Sequence, residues 1–371
     1  MIDSLDLTQF KQISFIGNGS FGEVYIVKEN KTGKIYAAKI SKDEIDERSA
    51  STFRYLKREV NIISELNHPS ILKFIAFSPK NFRNENKPVI ITEYMRNGSL
   101  DDIIKLTRNN QLLEYWDDTR ILMNIYGIAS AMSYLHLKNI IHRDLKPANI
   151  LMDDYLLPKI ADFGLSKTKH THLDSKTDDS TMGPKGTPLY MAPEIWENAE
   201  YSPAVDVYAF SFIVYELVTK KKPIITAKRY EIIKKIIKGA RPTFDTEIPS
   251  CYKELIEICW SSNPSYRPSF DQILKDLRSN SKFLMKTVNK KDYFTYVEYI
   301  DHCLKKLESG NKFVTINKFI DYKSDTFCKI NVKKLTGNDD SYSSDQESDE
   351  SSEEEEAYKK SRKSKMSSKS G

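Results

Sequence analysis

The chain begins with short apolar runs. Phe10 to Ile16, Val24-Tyr25-Ile26-Val27 and Ile35-Tyr36-Ala37-Ala38-Lys39-Ile40 are rich in β-branched and aromatic residues. Gly17-Asn18-Gly19-Ser20-Phe21-Gly22 and Asn30-Lys31-Thr32-Gly33 separate them. Such runs between turn residues predict hairpin strands. The period then changes. Leu56, Val60, Ile63 and Leu66 fall on one helical face, predicting a helix over 53–66 that His68-Pro69 ends. Ile71 to Phe77 and Pro88 to Glu93 predict two more strands around the polar loop Lys80 to Lys87, and Tyr94 to Ser99 reads as a linker. Helical spacing follows from Trp116 to Leu137, with Leu122, Ile125, Ile128, Ala129, Met132 and Leu135 as a core stripe. Ala204 to Val218 is almost wholly apolar, which predicts a buried helix. Tyr252 to Trp260 and Phe270 to Leu277 predict further helices. The pattern is therefore α+β, with a β-rich N-terminal lobe over 10–92, a connection over 93–98 and a helical lobe over 99–279. A cleft between lobes is a common ligand site.

Two segments break the pattern inside this region and after it. Leu165 to Lys185 is crowded with Ser, Thr, Lys and Asp, which predicts a mobile segment. Beyond 280, Lys282 to Leu307 has helical spacing through Phe283, Leu284, Val288, Tyr296, Val297, Ile300, Leu304 and Leu307. Phe313 to Val332 alternates apolar and polar residues and is expected to add a strand. Residues 280–335 thus form a C-terminal extension of unassigned role, expected to pack on the large lobe or on a partner. Residues 336–371 are expected to be disordered: Asp345 to Glu356 is acidic with interleaved serines, and Lys359 to Lys369 is basic.

Composition narrows the function classes. A formal net charge of +5 over 371 residues gives no global reason to expect nucleic-acid binding. The four cysteines form no CxxC pair and lie apart from histidines at ligand spacing, which argues against zinc and for a reduced, intracellular chain. Neither a signal peptide nor a membrane anchor is expected.

Local charge is more informative. His142-Arg143-Asp144-Leu145-Lys146-Pro147-Ala148-Asn149 packs an acid, two bases and an amide into one loop, followed at once by Ile150-Leu151. A second acid follows in Asp162-Phe163-Gly164. With a glycine-rich hairpin tip upstream, these are devices for handling phosphates and Mg²⁺. The hairpin tip is followed by β-branched residues rather than a helix, so it does not suit a dinucleotide fold. Small residues there let backbone N–H groups approach a phosphate closely. Lys39 interrupts an apolar strand and needs a partner, for which Glu59 on the 53–66 helix is the candidate.

Taken together, the motifs resemble the eukaryotic protein kinases over residues 10–279. They occur in family order: Gly17-x-Gly19-x-x-Gly22-x-Val24, Ala37-x-Lys39, Glu59, His142-Arg143-Asp144 with Lys146 and Asn149, Asp162-Phe163-Gly164, Ala192-Pro193-Glu194, Asp206 and Arg267. The resemblance implies a bilobal kinase fold, with ATP and Mg²⁺ as cofactors and proteins as substrates. It implies that Ile16 and the loop Gly17, Asn18, Gly19, Ser20, Phe21, Gly22 cover the ATP phosphates. Lys39 would hold the α- and β-phosphates and pair with Glu59. Asp144 would accept the substrate proton, Lys146 would neutralise the γ-phosphate, and Asn149 and Asp162 would hold the metal. Val24, Ala37 and Leu151 would enclose adenine, Thr92 would guard the back of the pocket, and Glu93 to Met95 would be the hinge. Ile63, Phe74, His142 and Phe163 would stack into a column joining the lobes. Glu194 would pair with Arg267, and Asp206 would anchor the catalytic loop.

Lys146 and Gly186-Thr187 resemble the serine/threonine kinases, with Thr187 placed to bond Asp144 and Lys146. Glu93-Tyr94-Met95-Arg96-Asn97-Gly98-Ser99-Leu100 and Cys259-Trp260-x-x-x-Pro264-x-x-Arg267-Pro268 resemble the tyrosine-kinase-like group. Arg143 beside Asp144 implies regulation by a phosphate in the 165–185 segment, with Thr181 the first candidate and Ser180 and Thr177 behind it. An upstream kinase, or autophosphorylation in trans, would supply it. The basic tail suggests nuclear import for an otherwise cytoplasmic protein. Competing readings are a pseudokinase scaffold and a protein whose extension is the working part.

Overall fold

The computed structural model describes residues 6–19, 22–42, 44, 60–111, 114–163, 167–168, 187–197, 202–223, 229–309, 315–320, 322 and 324–335. The expectations for Glu59, Ser20, Phe21, Thr181, all of the 165–185 segment except Lys167 and Thr168, and the charged tail lie outside these residues.

A five-stranded antiparallel sheet in the order β1-β2-β3-β5-β4 forms the N-terminal part. Its strands are β1 (Phe10–Asn18), β2 (Gly22–Glu29), β3 (Ile35–Ser41), β4 (Phe74–Ser78) and β5 (Val89–Glu93). Alternation along β3 separates its two faces. Tyr36, Ala38 and Ile40 are buried in a cluster with Leu7, Phe10, Val27, Val89 and Ile91. Ala37 and Lys39 are half-buried on the opposite face. Register sets Val24 and Ile90 opposite Lys39, and Thr92 opposite Ala37. The strand expected over 71–77 starts later: Ile71 makes only an isolated bridge to Ile160, and its side chain joins the large core.

Helical residues 60–65, here α1, carry Val60 and Ile63 into that core. The helical part continues with α2 (Leu100–Arg108) and α3 (Asp118–Leu137). Asp117 caps α3 by accepting from the Arg120 N–H, so the helix begins after Trp116. Its stripe is fully buried, as expected. The short strands β6 (Ile140–Ile141), β7 (Ile150–Met152) and β8 (Pro158–Ile160) frame the charged loop, and β9 (Lys167–Thr168) pairs with β6. Then come α4 (Pro193–Trp196), the buried α5 (Ala204–Thr219), α6 (Arg229–Ile237), α7 (Ser250–Cys259) and α8 (Phe270–Ser279).

The extension is not separate from this core. Helix α9 (Lys290–Glu308) packs along α3, and its Tyr293 and Tyr296 meet Tyr126 edge-on. Asn289 caps it, which splits the single helix expected over 282–307. No strand forms among the described residues of 313–332. Instead α10 (Ile316–Phe319) and α11 (Val332–Leu335) flank an irregular stretch. Its hydroxyls, on Tyr322, Ser324 and Thr326, turn inward to the Asp292 carboxylate at 2.8, 2.6 and 2.6 Å. Side-chain bonds thus replace the ladder that the alternation suggested.

Candidate active site

Backbone held against its own preferences positions the charged loop. Arg143 has φ 70° and Asp162 has φ 63°, a left-handed conformation costing a non-glycine residue about 1–2 kcal/mol. Asp206, 1% exposed on α5, holds the first of these. Its Oδ2 accepts the His142 N–H and its Oδ1 the Arg143 N–H, each at 2.9 Å. His136 adds a third bond at 2.9 Å to Oδ2. Burial pushes the Asp206 carboxyl up, but the hydrogen bonds and charge from His136 and the Arg143 N–H outweigh it, and its pKa lies below the ordinary value. The carboxylate therefore stays charged where the loop needs an acceptor.

Within the loop three side chains interlock. Lys146 Nζ reaches Asp144 Oδ2 at 2.7 Å. Asn149 Nδ2 donates to the same oxygen and to the Asp144 carbonyl, both at 2.8 Å. Asp144 is thus aimed by two donors, a carboxylate that can take a proton while a cation stands beside it. The Asn149 carbonyl accepts the Ala161 N–H at 2.9 Å, tying the loop to the segment that carries Asp162. Asp162 Oδ1 meets Lys39 Nζ at 3.2 Å. His142 is fully buried, donates from Nε2 to the Ala161 carbonyl (3.1 Å) and lies 5.2 Å from the Phe163 ring. Ile63 and Phe163 lie in the same core, with Phe74 packed against it.

Two glycines of the hairpin lie close to strand β3. Gly22 has no alternative: a Cβ there would lie 1.7 Å from the Ile40 carbonyl oxygen. A Cβ on Gly19 would lie 3.8 Å from Lys39 Cε, which puts Gly19 beside that lysine. A Cβ on Gly17 would meet nothing within 4 Å. Ile16 is 44% exposed, and Val24, Ala37, Thr92, Met95 and Leu151 are half-buried, as the walls of an open cleft should be.

As to a metal, Asn149 spends both amide hydrogens on Asp144, leaving its oxygen as the remaining ligand atom. With the Asp162 carboxylate this is a hard oxygen donor set. It fits a divalent cation whose other ligands are phosphates and water.

A family model described as the protein kinase domain matches residues 10–277. The chain belongs to the protein kinase family. The kinase is 34% identical over 264 residues to a putative serine/threonine-protein kinase/receptor of Acanthamoeba polyphaga mimivirus, covering 71% of this chain and 15% of the relative. It is 35% identical to the dual specificity protein kinase shkB of Dictyostelium discoideum, covering 70% and 38%. It is 33% identical to that organism's probable serine/threonine-protein kinase drkC, covering 75% and 36%. The chain spans well under half the length of these relatives.

Most of the expected kinase residues converge. Lys39 pairs with Asp162, Asp144 pairs with Lys146 and Asn149, and the Ala161 N–H on the Asn149 carbonyl joins the two groups. Glu194 takes the Arg267 guanidinium bidentately at 2.6 and 2.8 Å. Thr187 is exposed, and the Asp144 and Lys146 side chains bond each other and Asn149 rather than its hydroxyl. Several site contacts escaped the sequence. The Glu93 carboxylate at the hinge accepts the Lys73 N–H (2.8 Å) and pairs with Lys159 (3.2 Å). Tyr190 donates to Glu216, whose pKa burial pushes up to about 7. Asn97, in the hinge turn, is 4% exposed. Of these, Glu216 carried a sequence signal, a charge in an otherwise apolar helix.

Proposed function

We propose that this kinase transfers the γ-phosphate of Mg-ATP to serine and threonine hydroxyls of proteins. The observation that carries the reading is the Asp144 carboxylate held by Lys146 and Asn149. In the proposed step the substrate hydroxyl oxygen forms a bond to the γ-phosphorus while its proton passes to Asp144. The bond from phosphorus to the bridging oxygen breaks, and ADP leaves. Lys146 offsets the charge gathering on the transferred group. Lys39 orients the α- and β-phosphates under the glycine hairpin. Asn149 and Asp162 would hold a magnesium ion, which when bound offsets phosphate charge.

Lys146 supports serine/threonine preference. The dual specificity in the name of shkB belongs to that relative. The hinge and Cys259-Trp260 motifs support a place in the tyrosine-kinase-like group. Arg143 supports control by phosphate on the activation segment, with Thr181 as acceptor, and the basic tail supports nuclear import. Among the described residues no helix is long and apolar enough to cross a membrane. The test is phosphoamino-acid analysis of a peptide array labelled from γ-³²P-ATP, with and without Mg²⁺. Phosphoserine and phosphothreonine, dependent on the metal, are expected. Phosphotyrosine as the main product would overturn the specificity.

A further inference from the structure

The C-terminal extension returns to the hinge. Asn97 follows the hinge residues Glu93 to Met95, and its buried carboxamide is fully used. Nδ2 donates to the Asp153 carbonyl at 2.8 Å and to the Ile330 carbonyl at 3.0 Å. Oδ1 accepts the Val332 N–H at 3.0 Å. Two donors and an acceptor on one short side chain are what asparagine supplies and aspartate does not. The contact is reinforced by backbone, since the Ile330 N–H reaches the Asp154 carbonyl at 2.7 Å.

The segment leading there is anchored twice more by buried polar groups. Arg120 on α3, 3% exposed, donates to the carbonyls of Tyr155 and Thr326 and so ties the β7–β8 turn to the extension. Asp292 on α9, 1% exposed, gathers the hydroxyls of Tyr322, Ser324 and Thr326. Each of these buried groups depends on its partner for pairing. Residues 324–335 are therefore held on the domain as a strap rather than attached loosely.

The strap ends one residue from the frame of the nucleotide site. Gly98, next to Asn97, accepts the Met152 N–H at 2.9 Å through its carbonyl, and Ser99 bridges Leu151. Gly98 N–H reaches back to the Met95 carbonyl at 3.4 Å. Hinge backbone, Leu151 and strap are thus joined through Asn97.

We propose that Asn97 is a positioning residue through which the strap fixes the hinge, so that the extension sets ATP affinity rather than the rate of transfer. This rests on the reading of 93–95 as the adenine edge. The full-length chain is compared with Asn97→Ala, with Val332→Pro and with the control Lys329→Ala. Val332 is the first residue of α11, where proline is tolerated, and the substitution removes the N–H that Asn97 accepts. ATP Kd by calorimetry, KM for ATP, KM for peptide and kcat are measured. Losing hydrogen bonds of this kind should raise Kd and KM for ATP about threefold to tenfold. Peptide KM and saturating kcat should stay unchanged, and Lys329→Ala should behave as wild type. If Asn97→Ala fails to fold, Val332→Pro decides alone. Unchanged ATP affinity in a folded variant, or a fall in kcat at constant KM, would overturn the proposal. Wild type that binds ATP but transfers nothing would sink the kinase reading and leave the Kd shift to judge the strap.

Discussion

Gly127→Ala should reverse its usual sign. In an exposed helix interior, alanine for glycine stabilises by about 0.5–1 kcal/mol. Gly127 lies within α3, where α9 crosses it. A Cβ there would sit 2.3 Å from the Tyr296 hydroxyl, 2.8 Å from Pro158 Cγ and 3.1 Å from Ser70 Oγ. Two of those atoms belong to rings with little room to yield. Tyr296 is 1% exposed, lies 6.3 Å from the Tyr126 ring and shares a 3.3 Å hydrogen bond with Ser70. Ordinary contact needs about 3.4–4 Å, so the tyrosine would have to retreat by more than an ångström. Overpacking of this kind costs about 1–3 kcal/mol, and losing the Ser70 bond adds about 0.5–1.5 kcal/mol. Less the helix-propensity gain, the net expectation is destabilisation by about 1–3 kcal/mol. Urea unfolding should show a lower midpoint with an unchanged slope. Removing the hydroxyl with Tyr296→Phe should shrink the cost of Gly127→Ala, a coupling of about 1 kcal/mol or more between residues 169 positions apart. Should Gly127→Ala raise the midpoint instead, the packing of the extension on α3 is wrong.

Two other perturbations read the core. Glu194→Ala strands the Arg267 guanidinium, whose side chain is fully buried; calorimetry should show a loss of about 3–5 kcal/mol, toward the lower end because the Ser261 and Ala204 carbonyls remain as acceptors. His68 Nδ1 accepts the Ser70 N–H, so the proton sits on Nε2, which faces Ser130 Oγ. Burial holds its pKa down at about 3 against 6.5. The unfolded chain then takes up a proton that the folded one refuses, so this stability is full above pH 6.5 and lost as pH falls toward 3. Wild type should lose about 2 kcal/mol more than His68→Asn between pH 7 and 5. Asp153 and Glu216, pushed up to about 6 and about 7, slope the opposite way but cancel between the two proteins. Parallel pH profiles would refute the assignment.

What was legible in the chain follows from how each feature is encoded. Asp144, Lys146, Asn149 and Asp162 sit in contiguous motifs with fixed roles, so the resemblance carried them. Alternation located β3 and the cleft-facing lysine. The helix Leu100–Arg108 has one local signal, the capping box formed by Ser99 and Asp102, in a stretch whose polarity reads as linker. The strand expected over 313–332 failed for a different reason. Alternating polarity records which side chains turn inward, and here they turn toward a buried carboxylate contributed by α9. Contacts such as Asn97 with Ile330 join residues 233 positions apart, and no local pattern encodes them.

The central claim is that Asp144 and Lys39 serve phosphoryl transfer. The most direct measurement is the rate of ³²P transfer from γ-labelled ATP to a generic protein substrate by wild type, Asp144→Asn and Lys39→Met. Wild type should label the substrate, and Asp144→Asn should slow transfer by about 10²–10⁴-fold while retaining ATP binding. Lys39→Met should likewise be severely impaired. Transfer by wild type no faster than by the two variants, with all three folded, would contradict the account.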